Sequence, residues 1–232
     1  MKKILVLVFV FVGFTLHSRA QGNFELHVGA SVPTGDFAND NSNYGGGAST
    51  GLNVGIKYFY PLKSHKGLSL TLGVDYLNNG LGQESKDLLK QQAKTSGISD
   101  IQINDLDYIN VPVLVGLNYK DPVGKAFALF GDAALGVNYS TMTDLVLKAT
   151  YENTAFKSTT TFTPLTRMAY QIGGGVMICE NYIIGLHYNS LGTYSFNGKM
   201  TEEALGYKQA SATSSNLEVK ISMLTLSLGI RF

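Results

Sequence analysis

The final stretch of the chain, Lys220 to Phe232, alternates apolar residues with small or polar ones without a break. One face carries Leu224, Leu226, Leu228, Ile230 and Phe232, and the other carries Met223, Thr225, Ser227, Gly229 and Arg231. Successive side chains of a β-strand point to opposite faces, so this period predicts a strand with one wholly apolar face. Such a strand needs partner strands, which the rest of the chain has to supply.

Seven earlier segments show the same alternation. They are residues 23–32, 51–60, 68–77, 108–119, 126–139, 168–179 and 182–191. Pro112 lies inside one of them, where it cannot donate to a strand ladder, so we expect a bulge there. Cys179 ends another and is expected to be a small packing residue of that strand. The sequence thus predicts eight strands.

The connections between these segments alternate between long and short. Residues 33–47, 82–107, 141–167 and 193–219 are long connections, whereas 61–67, 120–125 and 180–181 are short ones. An even strand count with short periplasmic turns and long extracellular loops is typical of outer-membrane barrels. We therefore predict an all-β fold, an eight-stranded antiparallel up-and-down transmembrane β-barrel with both termini on the periplasmic side.

Three local patterns predict structure within the long loops. Residues 85–94 have a helix-forming composition, and they are as compatible with a short helix as with a loop. Glu152-Asn153 looks like the turn of a hairpin between two alternating stretches. Asn197-Gly198 is the strongest two-residue turn signal in the chain. We expect the later strands to extend beyond the membrane as ribbons.

The N-terminus has the pattern of a secretory signal peptide. Lys2 and Lys3 precede an apolar core, and Ser18-Arg19-Ala20 forms a small-x-small cleavage site. We therefore predict a cleaved signal over residues 1–20 and a barrel domain over 21–232. The mature chain would carry 15 basic and 17 acidic residues, a net charge of −2, which gives no indication of nucleic-acid binding.

Parity alone does not decide which face meets lipid, because a soluble lipocalin-like carrier is also an eight-stranded barrel, with its apolar face inward. Two observations favour the membrane. The polar face is rich in small residues that fit a narrow lumen, and it carries charges of both signs that can pair. Aromatic residues of the apolar face cluster at both strand ends, as in interfacial girdles. The predicted structural lumen network comprises Glu25, His27, Lys57, Asp75, Asp132, His187 and Arg231.

Two stretches of the predicted strands have a recognisable motif: Tyr108 to Leu114 reads Y-I-N-V-P-V-L, and Phe127 to Tyr139 is a glycine-containing strand. They resemble the signature Y-x-x-[IV]-P-[LV]-L and the following strand of the PorT-like family of outer-membrane β-barrel proteins. Gly173 to Gly175 and His187 to Gly192 resemble two later motifs, although His187 replaces an Arg. The closing strand matches the family and also resembles the C-terminal signal strand of bacterial outer-membrane barrels. The resemblance implies an outer-membrane barrel, and it does not extend to the secretion role of the founding member.

The sequence predicts no cofactor, no metal site and no catalytic residue. It has no nucleotide-binding loop, zinc spacing or G-x-S-x-G elbow, and we expect His27 and His187 to lack the adjacent carboxylates or Cys of a metal site. A non-enzymatic barrel with a structural or interaction role through its extracellular loops is the leading hypothesis. The alternatives are a secretion-complex component, by family analogy, a lipid-modifying outer-membrane enzyme that uses Ser190, and the lipocalin-like carrier.

The expected partners follow from the same hypothesis. Outer-membrane lipid would surround the apolar face, and surface or secretion-complex proteins could meet the loops. The barrel-assembly machinery would recognise the C-terminal strand through Leu226, Leu228, Ile230 and Phe232.

Overall fold

The computed structural model describes residues 24–39, 45–95, 97–151, 154–204, 207–209 and 214–232. The predicted signal peptide lies outside these residues. The strands are β1 (Phe24–Pro33), β2 (Gly51–Pro61), β3 (Leu68–Gly80), β4 (Ser99–Ile103), β5 (Asp107–Pro122), β6 (Phe127–Met142), β7 (Leu145–Tyr151), β8 (Thr154–Phe162), β9 (Leu165–Ile178), β10 (Tyr182–Ala204), β11 (Tyr207–Gln209) and β12 (Ser214–Arg231). A 3-10 helix covers Gly35–Ala38, and the α-helix α1 covers Gln83–Thr95.

Eight of these strands close into an antiparallel ring, which confirms the predicted barrel. The order around the ring is β1-β2-β3-β5-β6-β9-β10-β12, and β12 pairs back onto β1. The closing seam aligns Leu226 with Ala30 and Leu228 with Val28. All backbone groups along a closed ring can pair, so the barrel has no open sheet edge at the depth where lipid would surround it.

The apolar face of the ring is outside. On β12 the side chains of Leu226 and Leu228 are 53% and 61% exposed, whereas those of Thr225 and Ser227 between them are buried. Exposed aromatic rings lie at both ends of the strands, with Tyr60, Tyr119 and Phe127 near the short turns and Tyr76, Tyr139 and Tyr170 nearer the long loops. This confirms the predicted face assignment and overturns the alternative of a lipocalin-like barrel with its apolar face inside. None of the described helices is long and apolar enough to cross a membrane.

The long connections add structure beyond the ring. Strands β10 and β12 continue past it as a ribbon in which Ser195 pairs with Glu218. The upper part of β10 also pairs with β8, which pairs with β7, which in turn pairs with β4. The predicted hairpin around residues 152–153 is therefore present as β7 and β8, although the two turn residues themselves lie outside the described part of the chain. The helix that the composition left open is α1.

Two turn and bulge predictions were wrong. Asn197 and Gly198 do not form a turn, because β10 runs straight through them. On one side they pair with Asn216 and Ser215 of β12, and on the other side β10 pairs with β8. Pairing with two neighbouring strands outweighs a local turn preference. Around Pro112 the pairing of β5 with β3 is interrupted between Val113 and Asn110, but the register is the same on both sides, so there is no bulge.

The prediction that Cys179 packs within a strand was also wrong. Strand β9 ends at Ile178, and Cys179 lies in the short turn before β10 with an exposed side chain and a φ of +51°. The tight reversal at residues 179–181 requires left-handed backbone, which Glu180 adopts as well.

The bulge in the barrel wall lies elsewhere, at Gly192 in β10. The register with β12 shifts by one residue between Ser190 and Gly192, and Gly192 has a φ of +98°. An extra residue in a strand with period two reverses the side-chain parity. Asn189 faces the lumen below the bulge and Tyr194 faces it above, so the bulge turns two aromatic rings, Tyr194 and Phe196, into the interior.

Candidate functional site at the long-loop end of the barrel

The interior divides into a charged part near the short turns and an apolar part near the long loops. The charged part contains all seven residues of the lumen network, whose side chains are each less than a tenth exposed. Burying a charge is costly unless it is paired, so the contacts of each member decide whether this part is stable.

Two ion pairs of the network join neighbours around β1. Arg231 Nη2 donates to Glu25 Oε2 at 2.9 Å, and the guanidinium lies 3.7 Å from the centroid of the Phe59 ring. His27 Nε2 lies 2.6 Å from Asp75 Oδ1, and its Nδ1 lies 3.5 Å from Glu25 Oε1. Together these contacts pair both carboxylates with cationic or ring nitrogens.

The other part of the network crosses the lumen. Asp132 Oδ2 accepts from Lys57 Nζ at 3.2 Å, and His187 Nε2 lies 3.2 Å from the same oxygen. Strands β3 and β5 lie between β2 and β6, and β9 lies between β6 and β10, so Asp132 connects side chains from three strands that do not pair with one another. The charged part is therefore filled by paired side chains.

Glycines make room for two of these contacts. Gly55 lies between His27 and Asp75, and Gly173 lies between Asp132 and His187, in each case on the strand that separates the two partners. A Cβ on Gly55 would collide with Asp75 Oδ1 and lie 2.5 Å from His27 Nε2; one on Gly173 would lie 2.5 Å from His187 Cδ2. The side chains of the two flanking strands therefore contact each other in the space that a side chain at the glycine position would occupy.

A layer of amides and hydroxyls separates the charged part from the apolar part. Asn138 Nδ2 donates to Asn110 Oδ1 at 2.9 Å and lies 2.8 Å from Tyr194 Oη. On the adjoining strands β9 and β10, Gln171 Nε2 donates to Asn189 Oδ1 at 2.9 Å. These bonds give each of the four buried amides at least one partner at the mid-height of the barrel.

The apolar part is a packed core at the long-loop end. It contains fully buried side chains from β10 and β12, among them Leu191, Phe196, Val219 and Ile221. Phe37, carried by the 3-10 helix of the first long connection, enters this core with no exposed surface and packs edge-on against Tyr108 at 5.2 Å between ring centroids. The first connection therefore closes the barrel from above.

A pocket of about 490 Å³ lies above this core, and we call it the mouth pocket. All four long connections or the strands that continue into them contribute to its wall: Gly45, Gly46, Gly47, Leu81, Ser85, Leu88, Leu89, Gln92, Leu106, Tyr108, Met142, Leu145, Thr160, Phe162, Met200 and Leu217. Within the part of the chain that the structure describes, no charged residue lines it. Two of its hydroxyl groups bond to the first connection: Tyr108 Oη donates to Gly46 O at 2.6 Å, and Ser85 Oγ donates to Gly47 O at 3.1 Å.

The helix α1 forms one side of the mouth pocket. An ion pair between Lys86 Nζ and Asp105 Oδ1, at 2.7 Å, connects the helix to the segment before β5. The hydrogen bond and positive charge of Lys86 lower the pKa of the Asp105 carboxyl. Leu88 and Leu89 lie on the pocket side of the helix, and each is 39% exposed.

Sequence reasoning placed the seven network residues in the lumen but missed the mouth pocket. The pocket depends on which loops fold back over the barrel, and period-two alternation says nothing about that. One signal was available in β12, where the apolar residues change parity, from Leu217, Val219 and Ile221 to Leu224, Leu226 and Leu228. That change marks where the apolar side turns from inside to outside.

The described residues hold no group of three or more His, Cys, Asp or Glu side chains arranged to bind a metal ion. Ser190, named above for the enzyme alternative, has the opposite parity on β10 from His187, which turns into the lumen toward Asp132. The His187 ring contacts a carboxylate, as the His27 ring does, so the expectation that these two histidines lack adjacent carboxylates is wrong.

Comparison with known proteins gives one family match. The model of the family described as outer membrane protein beta-barrel domain matches residues 18–197. No curated protein matches the chain.

Several solved structures are similar to the fold. Ail of Yersinia pestis is 14% identical, with 91% of this chain and 99% of that chain covered and a TM-score of 0.40. Neisserial surface protein A is 13% identical, with 91% and 96% covered and a TM-score of 0.44. OprG of Pseudomonas aeruginosa is 16% identical, with 91% and 96% covered and a TM-score of 0.43.

Proposed function

The chain belongs to the outer membrane protein beta-barrel domain family, and we propose that it is a non-enzymatic barrel that interacts with surface partners through its extracellular structure. Membership makes it an integral outer-membrane protein with its apolar face toward lipid. The long connections are then extracellular and the short turns periplasmic.

The observation that carries the proposal is the contrast between a filled lumen and an elaborated exterior. Lys57, Asp132 and His187 connect three strands that do not pair with one another, and Phe37 closes the barrel from above. An eight-stranded barrel has an interior that side chains just fill, which argues against a diffusion pore. Function is therefore expected in the structure that projects beyond the membrane, because rigid scaffolds commonly carry function on their loops.

The extracellular sheet formed by β10, β8, β7 and β4 supplies a surface for such an interaction. Within the described part of the chain, β4 pairs only with β7, so its other side is a sheet edge. Edge strands accept a further strand from a partner through main-chain hydrogen bonds. Gln102 is exposed on this edge strand and gives a position from which to test the contact.

Photocrosslinking from two positions in intact cells tests the proposal. A photoreactive amino acid at Gln102 samples the extracellular edge, and the same residue at Lys63, exposed in a periplasmic turn, is the matched control. We expect a discrete protein adduct from Gln102 and none from Lys63. Adducts from Lys63 alone would refute the surface role and support the secretion-complex alternative.

The proposal also includes kinship with PorT-like proteins, which the Tyr108–Leu114 motif supports, and recognition of the C-terminal strand by the barrel-assembly machinery. Leu226, Leu228 and Ile230 line the exposed face of β12 at the seam with β1, and Phe232 follows the strand directly, so an assembly factor would meet the last strand there. Stepwise conductance of the purified protein in planar bilayers would contradict the filled lumen on which the proposal rests.

A further inference from the structure

We propose that the mouth pocket is a binding site for a small, uncharged molecule with a hydrocarbon body. This site is separate from the edge of β4 and does not depend on the surface interaction proposed above. The pocket residues that carry the inference are Leu88, Leu89, Leu145, Phe162 and Met200, which belong to three of the four long connections.

The size and depth of the pocket fit a small molecule. Its volume of about 490 Å³ lies within the range of roughly 300–1,000 Å³ that is typical of pockets for small ligands. Its floor is firm, because Tyr108 and Met142 are 2% and 4% exposed and belong to the packed core below. A ligand would therefore meet a surface that is already formed, and little ordering would oppose binding.

The chemistry of the lining selects an uncharged and mainly apolar ligand. None of the described residues that line the pocket is charged, so a charged group would lose its hydration without a compensating partner among them. The hydroxyls of Tyr108 and Ser85 already donate to Gly46 and Gly47. A peptide backbone would bring many polar groups and find few partners, whereas a hydrocarbon chain or ring needs none.

The absence of tryptophan from the chain allows a direct binding assay. Leu88→Trp places a single fluorophore at the rim of the pocket, at a position that is already partly exposed. Met200→Trp, on the β10 side of the pocket, is a second reporter in case the first does not fold. The probe is bromoundecanol, a medium-chain alcohol whose bromine quenches tryptophan, added to the protein in lipid nanodiscs. Tyr139→Trp, on the lipid-facing side, reports simple partition into the bilayer.

The proposal predicts saturable quenching of the pocket reporter that unbrominated undecanol reverses. Tyr139→Trp should show only quenching that rises steadily with the alcohol in the bilayer. A second substitution, Leu89→Glu, puts a charge at the pocket and should weaken the saturable quenching at least about tenfold. The matched control is Gln91→Glu, an exposed position of the same helix that does not line the pocket, and it should leave the quenching unchanged.

Nanodiscs made with brominated phospholipid identify where the ligand comes from. Quenching of the pocket reporter before any alcohol is added, reversed by undecanol, would mean that a lipid acyl chain occupies the site. Saturable quenching by the alcohol, with none from the brominated lipid, would mean that the site takes a free small molecule rather than a lipid acyl chain. Steady, unsaturable quenching that is equal in folded Leu88→Trp, Met200→Trp and Tyr139→Trp would overturn the proposal, and so would equal effects of Leu89→Glu and Gln91→Glu.

Discussion

The two halves of the barrel interior are built on opposite principles. Near the periplasmic turns the interior is held by ion pairs such as Arg231–Glu25 and Lys57–Asp132, while the exterior is apolar. Near the extracellular loops the interior is a hydrophobic core around Phe196 and Ile221. The difference shows that the apolar side chains of a strand lie on the face that avoids water at each level. They lie on the outer face where lipid surrounds the barrel, and on the inner face where water surrounds it.

Strand β12 shows the inversion within one element. Inward-facing positions are apolar at Val219 and Ile221 and polar at Thr225 and Ser227, although the backbone parity does not change. Outward-facing positions do the reverse, with charged Lys220 above and Leu226 below. The change at Ser222 and Met223 therefore gives the level at which β12 leaves the bilayer.

The largest expected effect comes from breaking the charged half with Asp132→Ala. Lys57 and His187 would lose their shared carboxylate inside the barrel, and removing one partner of a buried pair typically costs about 3–5 kcal/mol. Urea unfolding of the protein in lipid vesicles measures the loss. Lys57→Met combined with Asp132→Leu removes both charges and should cost less. An equal loss of unfolding free energy in the double variant would mean that side-chain volume, and not charge pairing, stabilises this half.

The matching change in the apolar half is Met223→Ala. This side chain is fully buried between β12 and its neighbours, and truncation of a buried Met costs about 2–5 kcal/mol. The same urea titration reports it. Met223→Leu keeps the volume and should cost less than about 1.5 kcal/mol. An equal loss of unfolding free energy in Met223→Ala and Met223→Leu would contradict a close-packed core at this level.

The outer surface should divide at the same level. Leu226→Lys puts a charge on the lipid face near mid-membrane, which costs about 2–4 kcal/mol, whereas Lys220→Leu, on the same face above the inversion, should change stability by less than about 0.5 kcal/mol. Folding yield and the gel mobility of unheated protein report both. Similar yields for the two variants would place them in the same environment and contradict the inversion.

The smallest effect concerns the contact that fastens α1 over the barrel. Because Lys86 lowers the pKa of Asp105, this contact stabilises the fold above the ordinary pKa of Asp and is lost as the pH falls through the lowered value. Asp105 is fully exposed, so salt should screen most of the effect. An NMR titration of the Asp105 carboxyl should show a midpoint that rises in Lys86→Met. An unchanged midpoint would show that Lys86 does not lower the pKa of Asp105 and would contradict the Lys86–Asp105 contact.

The sequence was sufficient for the ring and not for what lies above it. Alternation located all eight ring strands, and parity placed Leu226 outside and Ser227 inside, because one face of a strand at bilayer depth must be apolar. The same rule failed in the upper part of β10. There Gly192 inserts one residue and reverses the parity, and pairing with β12 overrides the turn preference of Asn197-Gly198.

The contacts between side chains inside the barrel could not be predicted from the alternation of residues along each strand. Charge and parity place Lys57 and Asp132 on the inner face, but only the stagger of the closed ring brings these side chains of β2 and β6 together. The mouth pocket depends on how α1 and the β7–β8 hairpin fold over the barrel. No short-range pattern in residues 83–95 or 145–162 specifies that arrangement.

The most direct test of the inversion is a spin-label accessibility scan along β12, from position 218 to 230, in a Cys179→Ser background. If the inversion is correct, oxygen dissolved in lipid reaches labels at 224, 226, 228 and 230. A water-soluble paramagnetic reagent reaches labels at 218 and 220, and neither reagent reaches 219, 221, 223 or 225. Access of the water-soluble reagent to 226 and 228, or to 219 and 221, would contradict it.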